Sequence, residues 1–227
     1  MDYVISSYTP SVTALLQALD SRPQVPYSPS LLAVVQPAAS GQIFIPGTKE
    51  ELKLIEDQAD KAAISLTKLM HSEATVARVK EEMRTASCVH FACHGTQDVE
   101  HPTESALLLA GSSKLTLSEI IMMKLGSKDL AFLSACQTAT GDATLSDESV
   151  HLAAGMLLAG YRGVIATMWT ISDSQAPRVA NDVYAHLFES LESGAPKAAE
   201  ALHFAVKNLQ ASGADFSSWV SFIHLGI

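Results

Sequence analysis

Between residues 31 and 169 the chain alternates two kinds of segment: short, mostly apolar runs, and longer stretches with apolar residues at helical spacing. A strand buried on both faces reads as a continuous apolar run, and such strands belong to parallel sheets with helices packed on both sides. Residues 31–36, 64–69, 87–95, 130–138 and 163–169 are runs of this kind. Helical patterns separate them at residues 48–62, 75–83, 118–125 and 150–159. In the first helix, Thr48 and Glu51 have the spacing of a capping box, and Leu52, Ile55, Ala59 and Ala62 follow at helical intervals. Two shorter strand candidates, residues 105–109 and 114–117, meet around Gly111. The alternation predicts an α/β fold: a three-layer α/β/α sandwich with a mostly parallel central sheet. Extra helices are expected over residues 173–191 and 196–209, and an apolar tail over 219–227.

Ahead of this pattern, residues 12–20 form a short helix pattern with Val12, Leu15, Leu16 and Leu19 on one face. Residues 22–30 hold three prolines and read as a linker. The expected organisation is therefore an N-terminal helix and linker at 1–30, followed by one domain at 31–227. With 48% hydrophobic residues in 227, the chain can bury a substantial core. A net charge of −9 argues against nonspecific nucleic-acid binding, which needs Lys and Arg to neutralise phosphates. Three cysteines do not suggest a disulfide framework, and a reducing, cytoplasmic location is expected. No basic-then-apolar leader opens the chain. The longest apolar stretch, 150–169, is broken by His151, Arg162 and three glycines, so it reads as a helix followed by a strand and no membrane partner is expected.

Two of the apolar runs finish on residues with chemical potential. One ends at His94-Gly95, the other at Cys136 with polar Gln137-Thr138 directly after it. Open parallel sheets bind ligands at the C-terminal ends of their strands. A His and a Cys on two such ends would face one crevice, as a Cys/His nucleophilic site requires. Strand alternation puts His90, Ala92 and His94 on one face and separates Cys88 from Cys93. His90, in mid-strand, reads as a buried hydrogen-bonded core residue. Gly95 permits close backbone approach to a ligand. On pattern alone Cys136 is either a small buried filler or a nucleophile. Cys88, His90, Cys93 and His94 are close in sequence, but alternation splits them and no zinc spacing is present, so no metal site is expected. No nucleotide fingerprint is found, and no cofactor is expected.

The segments His90-Phe91-Ala92-Cys93-His94-Gly95, Leu133-Ser134-Ala135-Cys136-Gln137-Thr138 with Gly141 and Asp147-Glu148, Ala159-Gly160, Val164-Ile165-Ala166-Thr167-Met168-Trp169 with Asp173, and the ending from Trp219 to Gly226 occur in a telling order. Together they resemble the CHAT domain, a branch of the caspase-like cysteine peptidases related to separases. The resemblance runs from about Leu31 to the C-terminus and implies a caspase-like α/β/α sandwich. It further implies a cysteine endopeptidase in which Cys136 attacks the scissile carbonyl and His94 serves as its acid or base. The backbone N–H groups of Gly95 and Cys136 are then the expected oxyanion hole. A catalytically silent interaction module on the same fold is the alternative. Family members usually carry helical repeats before this domain. Here residues 1–30 precede it, so a regulatory partner or a separate repeat region is expected, with the isolated domain latent and residues 137–149 reordering on activation. Separase-like members prefer a basic residue read by a carboxylate. Asp173 is the first candidate reader, with Asp147 and Glu148 next. Asp173 also stands where it could cap the helix that follows it.

Overall fold

The computed structural model describes residues 4–9, 11–20, 29–96, 98, 100–134, 136–137, 149–169, 171–190 and 197–227, with the backbone alone at 14, 17, 18, 20, 136, 137 and 149–151. In chain order the elements are α1 (Val12–Asp20), β1 (Ser30–Val35), α2 (Gly47–Lys61), β2 (Ser65–Met70), α3 (Val76–Thr85), β3 (Cys88–Ala92), β4 (His94–Thr96), β5 (Ala106–Leu108), β6 (Lys114–Thr116), α4 (Leu117–Met122), β7 (Lys128–Leu133), β8 (Cys136–Gln137), α5 (Ser149–Ala159), β9 (Tyr161–Thr167), α6 (Ala176–Ser190), α7 (Ala198–Ala211), α8 (Phe216–Val220) and β10 (Phe222–Gly226). Six strands form the central sheet in the order β10-β9-β7-β3-β1-β2. All neighbours run parallel except β10, which returns antiparallel to β9.

The two faces of this sheet bury two separate cores. Leu32, Val34, Val89, Phe91, Ala131, Leu133, Val164 and Ala166 point toward α3, α4 and α5. Their strand neighbours Leu31, Cys88, Leu130, Phe132 and Ile165 point toward α2, α6 and α7. Successive residues of β1, β3, β7 and β9 thus enter opposite layers, which is why these strands are largely apolar on both faces. Cys88 and Cys93 fall in different layers, as the alternation predicted. The turn from α5 into β9 rests on Gly160 at φ +124°, whose Cβ position overlaps the Gly126 carbonyl oxygen. Only glycine allows that close approach.

Two long apolar runs turn out to be interrupted. β3 stops at Ala92 and β7 at Leu133. After one residue and two residues respectively, the chain enters a second sheet of four strands, β6-β5-β4-β8. His94 and Cys136 therefore stand in this small sheet rather than on the ends of central strands. β3, the start of β4 and β7 are all buried, so the apolar pattern carries no mark of the change. The last central ladder bond here is Gln36 N–H to the Ala92 carbonyl, 2.9 Å. Beyond it His94 pairs antiparallel with Leu108.

The capping box expected at α2 is absent. Thr48 Oγ1 donates to the Ile45 carbonyl at 2.9 Å, and Glu51 turns inward, 1% exposed. A complete capping box occurs instead at α4, where Thr116 and Glu119 cap each other's backbone. Ahead of the domain core, Tyr8 joins the free side of β10: its N–H donates to the His224 carbonyl at 2.9 Å, and its carbonyl accepts from Gly226 N–H at 2.8 Å. α1 follows, with Val12, Leu16 and Leu19 exposed. Among the described residues, no helix is long and apolar enough to cross a membrane.

Candidate active site

β4 and β8 run side by side and parallel, with His94 in register with Cys136 and Gly95 in register with Gln137. Adjacent strands lie about 4.8 Å apart, so the pairing makes the two expected dyad residues immediate backbone neighbours. Gly95 also pairs with Leu107 on its other side, which places its backbone between two strands.

The His94 imidazole is 1% exposed, and among the described residues neither ring nitrogen has a hydrogen-bond partner. Burial lowers its pKa below the ordinary histidine value; the nearby Ile43 backbone carbonyl and the Asp173 carboxylate act in the opposite direction. Burial disfavours the charged ring, so the neutral base prevails at neutral pH. The Ile43 carbonyl lies close to the ring without hydrogen-bond alignment.

Asp173 does not cap the helix that follows it. That helix, α6, begins three residues later at Ala176, and the Asp173 carboxylate reaches across to the start of α2 instead. Gly47 N–H donates to its Oδ2 at 2.7 Å. The N-cap residue of α2 is Pro46, which has no side-chain acceptor to offer, so a distant carboxylate takes the role. A Cβ on Gly47 would overlap the Asp173 carbonyl oxygen and lie 2.6 Å from its Oδ1. Asp173 is thus held at the helix start and close enough to His94 to act on its charge. Asp147 and Glu148, the other candidate substrate readers, lie outside the described residues, as do residues 138–148 of the loop expected to reorder.

Sequence reasoning missed Ile43 and Gly47 at the site and the burial of Glu51 beside His90. The first two act through backbone groups, which leave no trace in side-chain pattern. Glu51 was assigned to a cap because its spacing from Thr48 matched one. His90 is the buried, hydrogen-bonded core residue expected, with Nδ1 3.2 Å from the Tyr184 hydroxyl.

The CHAT domain family model matches residues 1–227. No curated protein is significantly similar in sequence. Among solved structures, the Arg-specific cysteine proteinase gingipain R superposes with a TM-score of 0.57 at 13% identity, over 87% of this chain and 46% of that one. The complex of Porphyromonas gingivalis RgpB pro- and mature domains matches with a TM-score of 0.58 at 13% identity, over 94% of this chain and 52% of that one. The chain spans about half the length of these structures. At such identity the likeness is one of fold, and that fold is the caspase-like α/β/α sandwich. The chain belongs to the CHAT domain family.

Proposed function

We propose that this chain is a cysteine endopeptidase with Cys136 as nucleophile and His94 as its acid–base partner. The observation that carries the reading is the register of β4 with β8, which sets His94 beside Cys136. In the reaction, the Cys136 thiolate attacks the scissile carbonyl carbon, and the Gly95 and Cys136 N–H groups stabilise the oxyanion. Losing one such donor costs roughly 3–4 kcal/mol of transition-state stabilisation. Collapse of that intermediate breaks the C–N bond, and His94 returns the thiol proton to the leaving amine. Water then hydrolyses the thioester and restores the cysteine. Cys136→Ala and His94→Ala should each abolish cleavage in a peptide library while leaving the thermal midpoint near that of the parent. Full turnover by folded Cys136→Ala protein would refute the dyad.

The near-complete burial of His94 favours latency as part of this reading. A protein or peptide substrate reaches the ring only after the surrounding loops open, and a regulatory partner is the natural trigger. The same burial also fits the silent interaction module. A thiol probe separates the two: in a latent enzyme Cys136 reacts faster than a free model thiol once the activator is present, whereas in a silent module it does not.

Asp173 is the proposed reader of a basic residue before the scissile bond. Its Oδ2 is occupied by Gly47, which leaves Oδ1 for a charge-assisted contact with Arg or Lys. Asp173→Asn keeps an acceptor for Gly47 and removes the charge. We expect this variant to remain folded and lose its preference for basic residues in a profiling library. Strong cleavage after acidic or small apolar residues, unchanged in Asp173→Asn, would remove this assignment and leave the dyad standing.

A further inference from the structure

Three elements converge on His94. α2 brings Gly47, the segment leading into α6 brings Asp173, and the chain leaving β3 brings His94 itself. The same three elements meet a second time, deeper in the fold. Glu51 lies one helical turn past Gly47, His90 lies four residues before His94, and Tyr184 lies on α6. His90 stands between the other two: its Nε2 is 3.1 Å from Glu51 Oε1, and its Nδ1 is 3.2 Å from the Tyr184 hydroxyl. Its ring also packs on Phe132 with centroids 4.8 Å apart. Glu51 is 1% exposed, and His90 and Tyr184 are fully buried.

This arrangement is expensive for a core. Removing a carboxylate and an imidazole from water costs several kcal/mol for each charged group, and apolar residues of similar volume often serve stability as well or better. The His90–Glu51 approach is close but outside hydrogen-bond alignment, so the set is not a saturated network either. Its geometry offers a different use. Four residues of helix separate Gly47 from Glu51 by about 6 Å, and His90 and His94 lie four residues apart on the chain that leaves β3 for β4. A shift of α2 at Glu51 would therefore carry Gly47, and with it Asp173, relative to His94.

We propose that Glu51, His90 and Tyr184 form a positioning network for His94, a buried copy of the α2–β3–α6 junction that holds the catalytic ring in place. It rests on the dyad reading above. The three residues do not touch substrate; they fix the elements whose ends carry the groups around the imidazole. Small displacements of this kind matter: a shift of about 1 Å in a reacting group can cost on the order of a hundredfold in rate.

The test uses the full chain with Glu51→Gln, which keeps the shape and replaces the carboxyl group by an amide. The His94 imidazole resonance, assigned by its loss in His94→Ala, is titrated by NMR. In parallel, the rate of Cys136 alkylation by iodoacetamide is followed by peptide mapping. Cys88 and Cys93 are buried, and burial pushes the Cys88 thiol up to about 12, so neither competes. In folded Glu51→Gln we expect a moved His94 midpoint and alkylation about tenfold slower at neutral pH. The double variant Glu51→Gln/His94→Ala should be no slower than His94→Ala alone, since both changes act through one group. A merely structural role would lower the melting temperature without moving the His94 midpoint. A wild-type midpoint and rate in folded Glu51→Gln overturn the inference alone. Wild-type alkylation in His94→Ala shows that the ring does not act on the thiol in the resting chain and overturns the inference, whereas the dyad itself is judged by cleavage in Cys136→Ala. Should Glu51→Gln fail to fold, Tyr184→Phe, which deletes one hydroxyl, is read by the same criteria.

Discussion

His224 is buried in β10, with Nδ1 2.8 Å from Ser7 Oγ, and burial lowers its pKa from 6.5 to about 4. Above pH 6.5 the ring is neutral in both folded and unfolded chains, and its burial carries no titration penalty. As pH falls through 6.5 the unfolded chain takes up a proton that the folded protein refuses until about pH 4, so stability declines across that window and then levels off. The loss from this one residue is on the order of 3 kcal/mol. His94, lowered by burial as well, adds to the decline in the same direction. Thermal melts from neutral to mildly acid pH should show the fall, and His224→Gln should flatten it. An equally steep fall in the variant would assign the acid limb to other groups. At this scale the sequence was most informative where a side chain's role followed from its place in a strand. His90 and the separation of Cys88 from Cys93 were legible in that way. Asp173 was read as a substrate reader or a cap for the helix after it; its bond to Gly47 joins residues far apart in the chain, and no local pattern announces such a contact.

At the scale of elements, the helices and central strands follow from periodicity, and their observed bounds fall close to those read from the sequence. The capping signals show where pattern stops being sufficient. Thr48 with Glu51 and Thr116 with Glu119 have identical spacing, but only the second pair forms the box. The difference is tertiary: Glu51 is drawn into the core beside His90, whereas Glu119 remains near the surface and also accepts from Lys80 Nζ at 3.1 Å. Thr116→Ala should cost about 1 kcal/mol of stability, the usual penalty for a lost N-cap. Chemical denaturation measures it, and an unchanged midpoint would mean that Ser118 or Lys80 already holds the helix start. The split of each long apolar run between two sheets was likewise illegible, because small and apolar residues continue across the boundary in the sequence. That split nevertheless creates the β4–β8 pairing on which the candidate site depends.

At the scale of the whole molecule, the central sheet treats its two edges differently. β2, at one edge, carries Lys68, which pairs with Glu56 of α2. β10 is instead covered by the chain itself through Tyr8. Tyr8→Pro deletes the N–H that bonds the His224 carbonyl, and a proline cannot continue a ladder. We expect this variant to self-associate, since an open edge invites pairing with a second chain. Light scattering at rising concentration would reveal the dimer, and a strictly monomeric variant would show that one bond is not what guards the edge. The Tyr8 strand has a further consequence, one of competition. An extended peptide from elsewhere that sought the β10 edge would have to displace a segment of the same chain, and an intramolecular competitor acts at a high effective concentration. The sheet is in this sense self-occupied on one side: a weakly binding peptide cannot extend it there, and one that succeeds must release the N-terminal segment as it does so.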